Sequence, residues 1–371
     1  MFIILLILIF IRPFISSLAF PFLNSLYSNF FLVFIIIWLF VKGASLNKIQ
    51  TLKYPLISFC LALIISVAFS SDKINSLKEL SYYMTGIFLF AIGGSLTYEE
   101  KIRLIQTIVL ASFIISLLAI YQYFFGFRHL LSYLSKQGLS DSFTLDYINR
   151  RRVFFPFVTP NLLGGYLVMI IPLLLINKNR SWFIIPVSIA LLLTRSLGAL
   201  LSILLASVIY FYLQDRLKRR REIYVLLGLL LVIGFVFIAR SVTQKQHLQP
   251  IFSTLMRINY WKDSLRIIKA RPLIGVGLGN FNLIQSRYAH NSYLQIWAEI
   301  GILGIVSILW LIIAWFKTAV KNIKIFPNDK IMASLITANT AFLIHNLVDF
   351  SFFLPEVSLI WWVILGVLIG L

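Results

Sequence analysis

Long apolar runs separated by short charged punctuation dominate this chain. Twelve stretches fit the pattern: 2–20, 26–41, 54–70, 82–97, 104–125, 159–176, 182–195, 197–213, 224–240, 292–316, 330–346 and 356–371. Most approach the ~20 residues a helix needs to cross a hydrocarbon core. None alternates apolar and polar residues over about ten positions, as a strand of an outer-membrane barrel does. The pattern predicts an all-α polytopic membrane protein with about twelve transmembrane helices. The first stretch, MFIILLILIFIRPF, lacks a basic start and a small-residue cleavage site and is read as a retained span.

Two connections are long, 126–158 and 241–291, and with four predicted spans between them they fall on the same side. Short basic loops mark the other side: Lys42, Lys48 and Lys53, the run DRLKRRRE at 215–222, and Lys317, Lys321, Lys324 and Lys330. Basic loops stay in the cytoplasm, so both termini are expected there, and both long loops are expected on the periplasmic or exterior face. No repeat period or flexible linker divides the chain, so 1–371 reads as a single membrane domain. Within the second loop, 255–270 has helical periodicity, with Ile258, Trp261, Leu265 and Ile268 on one face and Lys262, Arg266 and Lys269 on another. A short amphipathic helix along the membrane surface is expected there, with Arg257 at the edge of the apolar face and able to point inward.

Composition narrows the classes. Of the 371 residues, 60% are apolar and 12% charged, too few charges to clothe a water-soluble globule. The net charge of +20 sits in loops between spans, which fits topology and anionic lipid better than nucleic acid. Cys60 is the only cysteine, so neither a disulfide framework nor a cysteine zinc site is available. Carboxylates in the outer loops, Asp72, Glu79, Asp141, Asp146 and Asp263, are scattered with no D-x-D pair, so no metal is expected.

Charged and titratable groups near the outer ends of spans are the candidates for chemistry, because burying them is costly without a partner or a use. They are Arg151, Arg152, Arg195, Arg257, His290, Glu299, Asp349 and Glu356. RPLIGVGLGNF at 271–281 spaces its glycines G-x-G-x-G after a basic helix, which fits a tight turn and not a dinucleotide loop. His290 and Asn291 open the apolar run of the tenth span, where a histidine can serve chemistry or merely cap and stack. Glu299, two turns deeper, can hold an arginine or pair with another helix. Asn161 follows Pro160 and can cap the sixth span. His345 and Asp349 stand at i, i+4, a spacing that also simply locks two helix ends. His129 and His247 read as solvated loop residues.

Taken together, Arg257, Trp261, PLIGVGLGNF and AHNSYLQIWAEIGILG resemble the shared C-terminal block of the O-antigen ligase and polymerase family of membrane glycan transferases. RRVFFPFVTPNLLGGYLVMIIPLLL at 151–175 is similar to that family's earlier arginine, Pro-Asn and small-residue pattern, so the resemblance covers 150–371. One departure is LTRSLGALL at 193–201, which puts Arg195 before Ser196 where the family often has Ser-Arg-Gly.

The resemblance implies a glycosyltransferase C-like fold and transfer of a glycan from undecaprenyl diphosphate to an acceptor hydroxyl at the outer face of the inner membrane. The acceptor would be a glycolipid, a glycan or a protein, with membrane lipids as further partners and no cofactor. It implies His290 and Arg257 as catalytic, Arg257, Arg152 and Arg195 as diphosphate ligands, and Glu299, Asn291 and Asn161 as their supports. The chemistry is consistent with these residue types, since guanidinium groups stabilise a departing diphosphate and a neutral imidazole can take a hydroxyl proton. A repeat-unit polymerase is the alternative within the family. A lipid or polysaccharide transporter or flippase is the alternative outside it, although transport sites lie near the midplane between repeated halves and neither is visible here.

Overall fold

Helix ends in this chain are written by short polar residues. Asp72 accepts from the Asn75 amide, Thr159 from Leu162, Ser196 from Ala199 and Asp329 from Ile331 and Met332. Thr97 and Glu100 form a reciprocal capping box. The computed structural model describes residues 1–43, 50–137, 145, 148–176, 178–215, 217, 219–243, 250–284, 286–325 and 329–369. Lys48, Asp141, Asp146 and His247 lie outside the described residues.

Among the described residues every regular element is helical, and no strand occurs. The α-helices are α1 (Phe2–Ile11), α2 (Pro21–Lys42), α3 (Lys53–Ala68), α4 (Lys73–Ser95), α5 (Tyr98–Tyr121), α6 (Phe127–Lys136) and α7 (Pro160–Ile170). They continue with α8 (Ile184–Thr194), α9 (Leu197–Leu213), α10 (Arg220–Thr243), α11 (Pro250–Ala270), α12 (Ser292–Ile325), α13 (Lys330–His345) and α14 (Pro355–Ile369). Five helical stretches are long and apolar enough to cross a membrane: Pro21–Lys42, Gln50–Ala68, Tyr98–Lys136, Arg220–Val242 and Ser292–Ile323. Shorter apolar helices cover five more predicted spans, at Phe2–Phe14, Pro160–Leu175, Ser181–Thr194, Leu197–Leu213 and Pro355–Ile369. The stretches 82–97 and 330–346 fall in α4 and α13.

The core forms around the last two helices. α14 is buried along its whole length and packs on α4, while α13 packs on α7 and α9. A helix that is apolar all round belongs inside a bundle, and α14 obeys this. α10 is the opposite case, leaving Leu231, Phe235 and Val242 exposed. A buried ion pair ties the chain start to this core: Arg12 Nη2 lies 3.6 Å from Glu356 Oε2 and donates to Asn24 Oδ1 at 2.7 Å, while Ser17 N donates to Glu356 Oε1 at 3.0 Å. Glu356 is therefore part of the scaffold and not of the site.

Two elements depart from the hydropathy pattern. The tenth span, read as one helix, is broken at Gly301, whose backbone (φ 74, ψ −168) is not helical. The carbonyl of Leu273 occupies the space a side chain would need, and Ile302 N donates to Pro272 O at 2.9 Å in place of a helical partner. The fifth span runs past 125, through a π-helical turn at Gln122–Gly126, into α6, so helix fills the start of the 126–158 connection. Gln122 turns inward there and accepts the amides of Phe154 and Phe155 at 2.8 and 3.0 Å, drawing the far end of that connection back onto the bundle.

Candidate functional site

The loop after α11 builds the floor of the site. Gly275 takes a left-handed φ of 77 against the Glu299 backbone, where a Cβ would overlap, and Val276 N and Gly277 N donate to the carbonyls of Ala298 and Glu299 at 2.9 and 3.0 Å. Glu299 is buried, with Oε2 accepting from Gly279 N at 2.8 Å and Oε1 from Gln295 Nε2 at 2.9 Å. Its hydrogen bonds thus go to the glycine turn and to its own helix, not to an arginine or a neighbouring helix. Gln295 Oε1 in turn accepts from Ala289 N at 3.1 Å, beside His290.

His290 itself has φ 51, an unusual conformation for a side chain of its size. Bonds on both sides hold it there. Asn291 Oδ1 caps α12 by accepting from Tyr293 N and Leu294 N at 3.0 and 3.1 Å. Ser292 N donates to Asn346 O at 2.9 Å, and Ser292 Oγ donates to Asn346 Oδ1 at 2.7 Å. The His290 ring stacks on Tyr260, with centroids 5.4 Å apart and planes inclined by 22°, and meets the Phe350 ring edge-on at 4.9 Å. Its Nδ1 is buried with no hydrogen-bond partner. Burial first, and the Arg257 charge second, push the imidazole down to about 4 against the pull of Asp349, so the ring is neutral at ordinary pH.

Arg257 is half-buried, but the packed face of α11 is not the one its periodicity suggested. Ile258 and Leu265 are 37% and 41% exposed, whereas Ser264 and Ile268 are buried and Tyr260 and Ile267 are half-buried. Arg257, Tyr260 and Ser264 follow i, i+3, i+7 spacing and share one face, so Arg257 lies on the inward side together with the residue that stacks on His290. Lys262, Arg266 and Lys269 are exposed, with Arg266 bonded to Asp263 at 2.6 Å. Burial lowers the proton affinity of Arg257, and the negative charge of Asp349 offsets part of that.

Asp349 joins the two halves of the site. It is fully buried, and its Oδ2 lies 3.1 Å from His345 Nε2 and accepts from Ser351 Oγ at 2.5 Å, while Oδ1 has no hydrogen-bond partner. Burial works to raise this carboxyl, but the His345 contact, Ser351 and His290 outweigh it and hold it below the usual carboxylate range. His345 Nε2 is also 3.1 Å from the Asn161 carbonyl. Gly165 makes room for this imidazole, since a Cβ there would overlap His345 Cδ2. The small-residue pattern after Pro-Asn thus has a packing reason.

Asn161 does not cap its helix; Thr159 does. Its Oδ1 instead accepts from Arg152 Nη2 at 3.2 Å and from Ser196 Oγ at 3.0 Å. Arg152 Nε also donates to Thr194 O at 2.9 Å, which aims the guanidinium from two points. Arg195 ends α8 in a left-handed conformation (φ 49), and its carbonyl accepts from Arg240 Nη1 at 3.3 Å. Arg240 lies within electrostatic reach of Arg257, Arg150 and Arg195.

The structure therefore links Arg152, Asn161, His345 and Asp349 through hydrogen bonds, sets Arg257 and His290 within electrostatic reach of Asp349, and brings Arg195 in through Arg240. It places Asn291 at the adjoining helix start and Glu299 in the turn beneath. Sequence reasoning left His345 and Asp349 without a role and missed Arg240. The i, i+4 spacing in HNLVDF was the available signal for the first two; Arg240, at the end of an apolar run, offered none. His129 has a partner in Tyr121, whose hydroxyl lies 3.3 Å from Nδ1. No group of three or more metal-ligating His, Cys, Asp or Glu side chains occurs among the described residues.

Helices long and apolar enough to span a bilayer describe a membrane protein, and arginines, a histidine and a buried aspartate gather at their ends. Residues 182–309 match the family model described as O-Antigen ligase, in line with the resemblance that its motifs carry. The match takes in Arg195, Arg240, Arg257, His290, Asn291 and Glu299, a narrower region than 150–371. No curated protein and no solved structure matches the chain. The matched family is one of glycan transfer of the ligase or polymerase type, with a lipid-linked glycan and an acceptor as partners.

Proposed function

We propose that this protein transfers a glycan from undecaprenyl diphosphate to an acceptor hydroxyl at the outer face of the inner membrane. The observation that carries the reading is the neutral, partnerless Nδ1 of His290 beside Arg257 and Asp349. The acceptor oxygen bonds to the anomeric carbon as the carbon–oxygen bond to the diphosphate breaks. The acceptor proton passes to His290, and the lipid diphosphate leaves with the electron pair.

Arg257, with Arg152, Arg195 and Arg240, neutralises the charge that develops on the leaving group. These fixed cations offer what a divalent ion supplies in other transferases, so transfer without metal or cofactor is part of the proposal. An imidazole titrating near 4 is a weak base in the resting site. A bound diphosphate places negative charge nearby and raises its proton affinity when a proton has to be taken up. Asn161 aims Arg152, Asn291 fixes the backbone after His290, and Glu299 holds the glycine turn beneath it. The reading includes twelve crossings, a glycosyltransferase C-like arrangement, cytoplasmic termini and a site on the periplasmic or exterior face.

Incubating purified protein with an undecaprenyl diphosphate-linked oligosaccharide and mixed acceptors, with chelator present, tests this directly. A glycosylated acceptor supports the reading. Translocation of the intact donor across a vesicle membrane without product would replace the reading with a transporter. The residues described serve a ligase and a repeat-unit polymerase equally, and the acceptor that takes the glycan separates the two.

A further inference from the structure

A hollow of about 560 Å³ lies among α8, α9 and α10, walled by Leu192, Leu200, Ile203, Leu229 and Val232. Arg221 and Glu222, in the first turn of α10, stand at one end of it. That end is remote from the site described above: Arg240 follows Glu222 by 18 residues of the same helix, roughly 27 Å. It belongs to the basic run 215–222, on the face expected to be cytoplasmic. Along α10 the lining runs from Arg221 to Val232, about 16 Å, or half of the ~30 Å hydrocarbon core. The hollow thus has the depth of a single leaflet.

Glu222 shares one face of α10 with Val225, Leu229 and Val232, all of which line the hollow. The residue is 7% exposed, and its Oε2 is buried with no hydrogen-bond partner. A buried carboxylate oxygen without a donor is costly. The N-terminal dipole of α10 favours a negative charge at this position but supplies no hydrogen bond to that oxygen. Two hydroxyls of the lining point elsewhere: Ser207 Oγ donates to Ile203 O and Thr337 Oγ1 to Ala333 O, each at 2.7 Å. Arg221, the chain neighbour of Glu222, is exposed at the same end. The hollow therefore ends in an acceptor that lacks a donor, with a guanidinium beside it.

A ligand that fits is apolar for the depth of one leaflet, carries a hydrogen-bonding cation for Glu222 and carries an anion for Arg221. We propose that this hollow binds a phospholipid with a primary ammonium headgroup, of the phosphatidylethanolamine class. One acyl chain lies along α9 and α10, the ammonium donates to the Glu222 carboxylate, and the phosphate meets the Arg221 guanidinium. A prenyl tail reaching down from the arginine cluster would set hydrocarbon against Glu222 and leave its oxygen unpaired. An anionic lipid without an amine would satisfy Arg221 but place a like charge beside Glu222. The proposal concerns a site apart from the transfer chemistry and does not depend on it.

The test is native mass spectrometry of the full-length, delipidated protein in detergent, titrated with phosphatidylethanolamine or with phosphatidylglycerol of the same acyl chains. The native protein is expected to bind phosphatidylethanolamine about tenfold or more tightly, the order expected of one hydrogen bond to a charged group. Glu222→Gln keeps the shape of the side chain and removes its charge, and it is expected to erase the preference. Leu229→Trp fills the hollow from its wall and spares the carboxylate, and it is expected to weaken binding of phosphatidylethanolamine by a similar factor. Equal affinity of the native protein for the two lipids, a preference that survives Glu222→Gln, or unchanged binding in Leu229→Trp would overturn the inference. Displacement of bound phosphatidylethanolamine by equimolar undecaprenyl phosphate would also overturn it, by giving the hollow to a prenyl tail.

Discussion

The imidazole of His290 lies nearly parallel to the phenol ring of Tyr260, with centroids 5.4 Å apart. Tyr260 shares the inward face of α11 with Arg257, so a single helix face positions both the base and the cation of the proposed reaction. Tyr260→Phe keeps the stacking surface and is expected to retain transfer. Tyr260→Ala removes an aromatic pair worth roughly 0.5–1.5 kcal/mol and should slow transfer by roughly 2–10-fold, measured as single-turnover rate. Equal rates for the two variants would show that the stack positions nothing.

A second relationship is steric. Gly165 faces the His345 ring so closely that a methyl group cannot be added without displacing it. Gly165→Ala should therefore lower thermal stability in detergent by about 1–3 kcal/mol and disturb the Asn161 and Asp349 contacts together. Unchanged stability and transfer would mean that α7 and α13 do not pack as described.

The pH dependence follows from His290. Its folded value near 4 lies below the ordinary histidine value of 6.5, so the unfolded chain binds more protons between those two limits. Its contribution to stability is present above 6.5 and is lost as pH falls toward 4. The acid limb of kcat/KM, which reports the free protein, is expected near 4. Arg257→Ala removes a cation that depresses the imidazole and should move the limb upward, whereas Asp349→Asn removes an anion that raises it and should move the limb down. A native limb at the ordinary histidine value would contradict the burial of this ring.

Far from the site, Arg12 and Glu356 are both fully buried. Breaking such a pair on one side leaves a charge without compensation and costs about 3–5 kcal/mol. Arg12→Met is expected to lower the detergent unfolding temperature sharply, and Arg12→Met with Glu356→Gln to recover part of the loss. A single variant as stable as the native protein would show that this pair does not hold α1 to α14.

The helical membrane class was legible because apolar runs of near-span length leave few alternatives. The separation of Arg257 from the exposed basic face of its own helix was also legible. Its actual neighbours were not, because the packed face of α11 is chosen by Phe281, Leu283 and Ala298 from other segments. Gly301 reads as one more residue in an apolar run, and its break becomes visible only when the Pro272–Leu273 backbone is laid against it. Asp349 and His345 have a spacing equally suited to closing a helix, and only the approach of Asn161, 184 positions away in the chain, shows their place in the site. Arg195 lacks the expected motif order, yet its left-handed backbone presents a carbonyl to Arg240, a contact between two chain segments that no local pattern encodes.

The most direct test of the central claim is the single-turnover rate of glycan transfer by His290→Ala beside the native protein, with undecaprenyl diphosphate binding measured on the same samples. Loss of general-base catalysis is expected to reduce the rate by roughly 10²–10⁴-fold while donor binding, assigned to the arginines, stays near the native value. A variant that transfers at the native rate would contradict the account.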